Sequence, residues 1–293
     1  MKLEELIGNT PLAELSRINS NKNVIIYGKL EGDNPGGSVK DRAAYWMIKE
    51  AIVRGDIDNK TTLIEATSGN TGIALAMIAR LFDINLELVM PENLSRERVL
   101  SMEAYGAKVI LTSKKNGMEG ARDYVSNKLK TGKYHMLDQF SNPDNTKAHY
   151  ETTGPEIWRD TKGKITHFVS AMGTTGTIMG VSKFLKEKNP NIQIIGVQPS
   201  ECSTIPGIRK WPEEYLPKIY NPTQIDRVIE VTEKEAISTT RQLAQTEGIM
   251  AGMSSGGALC AALKLSKELD KGIIVFIICD RGDRYLSTNL FRD

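Results

Sequence analysis

Cysteine and histidine are scarce, with 3 of each in 293 residues. Cys202, Cys260 and Cys279 make an odd number with no C-x-x-C spacing, which excludes a disulfide framework and a zinc knuckle. His135, His149 and His167 are too scattered to form a sequence-local metal site. Charge of one sign is missing too. Lys+Arg 38 against Asp+Glu 36 leaves +2, too little to hold a nucleic-acid backbone or an anionic membrane. Ile273–Cys279, an unbroken apolar run as long as any in the chain, falls far short of the ~20 residues that span a bilayer. Met1-Lys2-Leu3-Glu4-Glu5 carries acids where a secretory leader needs a basic start and a long apolar stretch, so a cytoplasmic location is expected. A hydrophobic share of 40% beside 25% charged residues is ordinary globular usage and argues against a disordered or fibrous chain. These absences leave a soluble α/β protein that acts on something small.

What is present is alternation. Val24–Leu30, Thr62–Glu65, Leu86–Met90, Lys108–Leu111, Phe168–Ala171, Gln193–Val197 and Gly272–Cys279 are short apolar or β-branched runs of strand length. Between them, helical spacing recurs. In Ala43–Ile52 the apolar positions Ala44, Met47, Ile48, Ala51 and Ile52 share one face, and Ile73–Phe82, Arg96–Tyr105, Glu119–Leu129, Ile178–Lys188, Glu233–Glu247 and Ala258–Leu269 read likewise. Such alternation predicts mostly parallel sheets covered by helices on both faces, with ligands bound beyond the carboxyl ends of strands. A prior of about 150 residues per domain suggests two lobes, and the polar stretch Ser141-Asn142-Pro143-Asp144-Asn145 is the best mid-chain boundary.

Three segments repeat one design of strand, small-residue turn and helix: Thr67-Ser68-Gly69-Asn70-Thr71-Gly72, Gly173-Thr174-Thr175-Gly176-Thr177 and Gly252-Met253-Ser254-Ser255-Gly256-Gly257. Glycine permits the tight turn, and the free N–H groups of the following helix attract an anion, to which hydroxyls add donors. None is a Walker A loop, and none fits G-x-G-x-x-G, which argues against a nucleotide-binding oxidoreductase. Capped turns of this kind also occur as plain connections, but three on one chain suit a bound phosphate and a substrate carboxylate. Ahead of them, Asn34-Pro35-Gly36-Gly37 breaks the chain, and Ser38-Val39-Lys40-Asp41 has the spacing of a capping box. Lys40 then falls in the first helical turn, where the dipole disfavours an ammonium and lowers the amine's pKa. A nucleophilic lysine beside two anion cradles supplies the parts for a Schiff base to a phosphorylated aldehyde cofactor.

At these residues a family resemblance enters. Ile7-Gly8-Asn9-Thr10-Pro11-Leu12, Pro35–Arg42 and the three turns together resemble the fold-type II (tryptophan synthase β-like) pyridoxal-phosphate enzymes, in order over essentially the whole chain. Within them the chain resembles the O-acetylserine sulfhydrylases, or cysteine synthases. Ile205–Pro212 and Cys279–Ser287 resemble the B type rather than the A type. The resemblance implies two three-layer α/β lobes with mostly parallel sheets. Residues 36–145 would form a smaller mobile lobe, and residues 1–35 with 146–293 a larger one that binds pyridoxal 5'-phosphate. It implies a homodimer, and small-molecule substrates rather than nucleic acid or membrane.

By the same resemblance Lys40 would carry the cofactor and act as catalytic base, and Asn70 would bond its phenolic oxygen. Gly173, Thr174, Thr175, Gly176 and Thr177 would cradle its phosphate, and Ser254, rather than Ser255, would face its ring nitrogen. Thr67, Ser68, Thr71 and Gln139 would hold the substrate carboxylate. A hydroxyl at Ser254 cannot keep the ring nitrogen protonated as a carboxylate would, which disfavours transamination and favours β-elimination with a good leaving group. The implied reaction is replacement of the acetate of O-acetylserine by sulfide or thiosulfate, in two halves. Arg209, in Arg209-Lys210-Trp211, is either a solvated loop charge or a cation for a charged sulfur donor. Cys279 is expected to be a buried inert thiol, with Asp280 and Arg281 near the site, and Cys260 to be core. Three other readings stand beside this one: a serine or threonine dehydratase, a cystathionine β-synthase-like condensing enzyme, and a non-catalytic docking partner such as A-type relatives provide for serine acetyltransferase.

Overall fold

The computed structural model describes residues 1–93 and 96–292. The first sheet to be entered is built from β1 (Leu12–Glu14) and β2 (Val24–Leu30), after which the chain turns into α1 (Lys40–Arg54). A second sheet follows, from β3 (Thr62–Ala66), α2 (Asn70–Leu81), β4 (Asn85–Pro91), α3 (Arg96–Ala104), β5 (Lys108–Thr112), α4 (Gly117–Leu129) and β6 (Tyr134–His135). The chain then runs helically through α5 (Pro143–Ala148), a π turn (His149–Thr153) and α6 (Gly154–Asp160). It completes the first sheet with β7 (His167–Ala171), α7 (Gly176–Lys188), β8 (Gln193–Pro199), β9 (Arg227–Val231), α8 (Glu233–Glu247), α9 (Met253–Ser266) and β10 (Gly272–Ile278).

The larger sheet has the order β1-β2-β10-β7-β8-β9 and the smaller β5-β4-β3-β6. Every pairing is parallel except β1 with β2. Alternation along the strands sends side chains to opposite faces. In β10, Ile274, Phe276 and Ile278 pack with α8 and α9, whereas Val275 and Ile277 pack with α6 and α7. In the smaller sheet Leu63, Leu86 and Leu88 meet α1 and α2, while Ile64 and Val89 meet α4. Both sheets are therefore the middle layer of three, as expected.

Three short strands, β1, β6 and β9, are absent from the sequence reading. Each lies at a sheet edge, where one flank has no partner strand and less apolar surface is buried. The polar stretch Ser141–Asn145 is not a simple connection either. Asn142 caps α5, its side chain accepting from the Asp144 N–H at 2.9 Å, with Pro143 at the first helical position.

The capping box expected at Ser38–Asp41 is not formed. Ser38 is buried and its Oγ accepts from the Lys40 N–H at 3.3 Å, but Asp41 reaches past it to the Gly36 N–H at 2.5 Å. A Cβ on Gly36 would sit 2.6 Å from the Asp41 carboxylate, so the turn needs glycine there. Burial pushes the Asp41 carboxyl up to about 7, against the pull of that N–H.

Two residues beyond Lys40, the Arg42 side chain is 1% exposed. Its guanidinium meets Glu31 at 2.7 and 2.8 Å and Glu156 of α6 at 2.7 Å on two nitrogens. Lys29 adds a second cation to Glu156 at 2.7 Å. The same carboxylates collect the N-terminal segment: Asn9 N–H donates to Glu156 at 2.9 Å and Thr10 Oγ1 to Glu31 at 2.7 Å, while Gly8 N–H donates at 2.8 Å to Asn34, whose own amide donates to Glu31. Although burial opposes ionisation of Glu156, its bonds to Arg42 hold it down at about 2. Arg42→Met leaves buried Glu31 without its guanidinium and Glu156 with Lys29 alone, and is expected to cost ~3–5 kcal/mol in urea unfolding.

Glu65, buried at the end of β3, accepts from the N–H groups of Leu137 and Asp138 at 2.7 and 3.1 Å. Burial pushes its carboxyl up to about 7 from 4.5, the two N–H bonds opposing. A raised carboxyl binds its proton more tightly when folded, so its stability contribution is complete below pH 4.5 and declines as pH rises to about 7. Glu65→Gln should abolish that part of the decline. Between those limits wild type should lose on the order of 3 kcal/mol relative to the variant.

Candidate active site

The carboxyl ends of β2, β3, β7 and β10 point to one cleft between the sheets. The loop after β2 delivers Lys40 as the first residue of α1 and is stitched to the end of β10 by Val39 N–H to Cys279 O at 2.8 Å. Around Lys40 lies a cavity of about 330 Å³. Thr67, Ser68, Asn70, Thr71, Gln139, Gly173, Thr174, Thr175, Thr177, Arg209, Ser254 and Asp280 all line it; Gly176 does not, and Arg281, expected near the site, turns away to donate to the Gly32 carbonyl at 2.8 Å. The pKa of the Lys40 amine is lowered, as expected, with burial the largest cause and Cys279, Asp280 and Glu31 pulling the other way.

Gly173–Thr177 opens α7. Thr175 adopts φ +71°, and turns the chain so that the first helical N–H groups, which have no partner inside the helix, face forward. Its Oγ1 is buried without a hydrogen-bond partner, the residue being 4% exposed. The loop is held from behind: Asn145 Nδ2 donates to Thr174 Oγ1 at 3.1 Å, and Trp211 Nε1 to Gly173 O at 2.8 Å. A Cβ on Gly176 would lie 2.1 Å from the Asn145 amide oxygen, which explains the glycine and why this residue stands behind the wall.

On the opposite side Thr71 Oγ1 donates to Gln139 Oε1 at 2.9 Å. Asn70 begins α2 and is held by a turn some 210 residues away in sequence: its Nδ2 donates to Asp280 at 2.6 Å, and Arg284 donates to its Oδ1 at 2.6 Å. Of the two serines opening α9, Ser255 accepts from the Cys279 N–H at 2.9 Å and is absent from the cavity wall, leaving Ser254 to face it. Cys279 lies on the wall rather than in the core, and burial pushes its thiol up to about 11. Cys260 is core, as expected. Arg209 is exposed at the mouth with its guanidinium 5.2 Å from the Trp211 ring centroid. Lys210 is turned away, to Glu230 at 2.8 Å.

A model of the pyridoxal-phosphate dependent enzymes matches residues 3–280. The chain belongs to this family. It is 56% identical over 289 residues to cysteine synthase B of Pseudomonas aeruginosa, covering 99% of this chain and 97% of that one. With cysteine synthase B of Salmonella typhimurium the identity is 57% over 289 residues, covering 99% and 95%. Among solved structures, cysteine synthase from Entamoeba histolytica superposes with a TM-score of 0.96 at 40% identity, over 100% of this chain and 90% of that one. The family's cofactor is pyridoxal phosphate, and the residues fit it. A buried orphan hydroxyl on Thr175 at the start of α7 and a lysine whose amine burial inclines to the uncharged form suit a phosphate and an aldehyde.

The sequence reading missed Arg98, Arg122 and Tyr285, which also line the cavity. Arg98 lies 5.9 Å from the Tyr285 ring centroid and donates to Ser68 O at 3.3 Å. Arg98 and Arg122 carried no signal, being ordinary polar positions on α3 and α4. Tyr285 lay inside a quoted motif but was given no role. With its thiol at about 11, Cys279 should resist iodoacetamide in the cofactor-free protein at pH 8, while exposed Cys202 reacts. Mass spectrometry should find Cys279 labelled only as the pH approaches 11.

Proposed function

We propose that the chain is a cysteine synthase. It replaces the acetate of O-acetylserine with a sulfur nucleophile, giving cysteine from sulfide or S-sulfocysteine from thiosulfate. The observation that carries this reading is the meeting of Lys40 with two hydroxyl-rich helix starts on one cavity wall. Gly173, Thr174, Thr175, Gly176 and Thr177 hold the cofactor phosphate, Asn70 bonds the ring oxygen and Ser254 faces the ring nitrogen. Thr67, Ser68, Thr71 and Gln139 take the substrate carboxylate. When bound, the cofactor supplies an electron-withdrawing ring that acidifies the substrate's α-carbon.

Lys40 does the proton work. Burial lowers its pKa and so favours the uncharged amine, which can take the α-proton as acetate leaves the β-carbon with its bonding pair. The same amine returns that proton once sulfur has bonded to the β-carbon. Ser254 gives the ring nitrogen a hydroxyl rather than a carboxylate, which favours prompt loss of acetate over a long-lived carbanion. Arg209 has no ion pair among the described residues and is free to draw an anionic donor to the mouth. The lobe of residues 36–145 closes over the larger one, made of residues 1–35 and 146–293, and so keeps water from the site. A homodimeric, cytoplasmic enzyme is the form the family resemblance supports.

The test is optical and then chemical. Purified protein should show the visible band of bound pyridoxal phosphate, and O-acetylserine alone should shift it. Sulfide or thiosulfate should then restore the band with release of cysteine or S-sulfocysteine, whereas pyruvate as main product would mark a dehydratase. Lys40→Ala should lose the covalent form of the cofactor and at least ~10³-fold in turnover while keeping the fold by circular dichroism. Turnover within ten-fold of wild type would move the base elsewhere.

A further inference from the structure

The turn after β10 does more than close the cleft. Asp280, 2% exposed, is the meeting point of three donors: Asn70 Nδ2 at 2.6 Å, Tyr285 Oη at 2.6 Å and Gly252 N–H at 3.1 Å. Arg284, four residues on, donates to Asn70 Oδ1 at 2.6 Å and also to the Gly36 carbonyl in the turn that leads to Lys40. Gly37, at φ +80°, lies flat beneath that guanidinium; a Cβ there would stand 2.5 Å from it. One short turn of the large sheet therefore grips both the start of α2 and the loop that carries Lys40.

A carboxamide has an acceptor end and a donor end of nearly equal size, and nothing intrinsic fixes which way it points. Here each end faces a group of a single polarity. Arg284 can only donate, so the atom before it must be the oxygen. Asp280, surrounded by donors, accepts, so the atom before it must be the nitrogen. The nitrogen carries two hydrogens and Asp280 uses one. The other is left for the cavity, which Asn70 lines.

We infer that Asp280 and Arg284 are positioning residues that lock the Asn70 carboxamide in one orientation and so present its spare N–H to an oxygen of the bound cofactor. The inference rests on the proposed role of Asn70 in holding pyridoxal phosphate. Arg284 stands behind the cavity wall and acts through Asn70, whereas Asp280 is on the wall and also raises the pKa of the Lys40 amine, a direct effect that the Asn70→Ala background separates. Losing the lock lets the amide turn its oxygen toward the cofactor oxygen, replacing an attraction with a repulsion.

The test compares wild type with Asp280→Asn, Arg284→Gln and Arg284→Lys, each also in an Asn70→Ala background. Three quantities are read: the dissociation constant for pyridoxal phosphate, the position of its visible band, and the thermal midpoint. Asparagine at 280 or glutamine at 284 can face Asn70 with either end, so both should weaken cofactor binding about ten-fold and move the band. Arg284→Lys restores a pure donor and should return both toward wild type. In the Asn70→Ala background the Arg284 variants should have no further effect on binding or band, and Asp280→Asn only a smaller one, through Lys40. The inference is overturned if Asp280→Asn and Arg284→Gln lower the thermal midpoint but leave affinity and band unchanged. It is equally overturned if their effects persist undiminished without Asn70. Should Asp280→Asn fail to fold, the Gln and Lys variants at 284 decide alone. Wild type that takes up no pyridoxal phosphate would remove the parent reading, and this one with it, before any variant is compared.

Discussion

One guanidinium between two carboxylates, sealed from water, fixes the loop on which the chemistry depends. Arg42 joins Glu31, just past the end of β2, to Glu156 on α6, and it stands two residues from Lys40. A buried ion cluster of this kind adds little net stability compared with apolar packing, but it tolerates almost no displacement of its members. The first turn of α1 is therefore held at one height relative to the large sheet. Asn9 and Thr10 are gathered by the same acids and Gly8 by Asn34, itself bonded to Glu31, which gives the quoted Ile7–Leu12 motif a structural reason.

Against this rigid base the small sheet contributes the opposite wall through the Thr67–Thr71 turn and Gln139. The two walls differ in how they are held. The Gly173–Thr177 turn is braced from the β8–β9 loop by Trp211 and from α5 by Asn145. The Asn70 side is tied across the cleft by Asp280 and Arg284. Hydrogen bonds that bridge the cleft are the ones any lobe motion must stretch or carry along.

Much of this was legible before any coordinates. Strands buried on both faces wrote near-continuous apolar runs, and the glycine- and hydroxyl-rich turns marked the strand ends where the cavity lies. Lys40 stood out by its place at a helix start. What escaped was of two kinds. Strands β1 and β6, of 3 and 2 residues, are too short to leave a pattern, and in β9 the buried Ile229 and Val231 are interrupted by Glu230. Partners such as Asn70 and Asp280 lie 210 residues apart, and no local spacing reports a contact that only the fold creates. The Ser38–Asp41 spacing misled for a related reason: Gly36, two residues before the serine, offered Asp41 a nearer N–H.

The strand order also bears on how the chain comes to be folded. The small sheet is made from one continuous stretch, Thr62 to His135, so its pairings are available while later residues are still being synthesised. The large sheet is different: β10, the last strand in sequence, sits between β2 and β7. Until Gly272–Ile278 has emerged, β1 and β2 form a hairpin with no sheet to join. Nascent chains should thus pass through a stage with one finished lobe and one split in two, its inner strand edges open, and that interval is when a chaperone would be most useful.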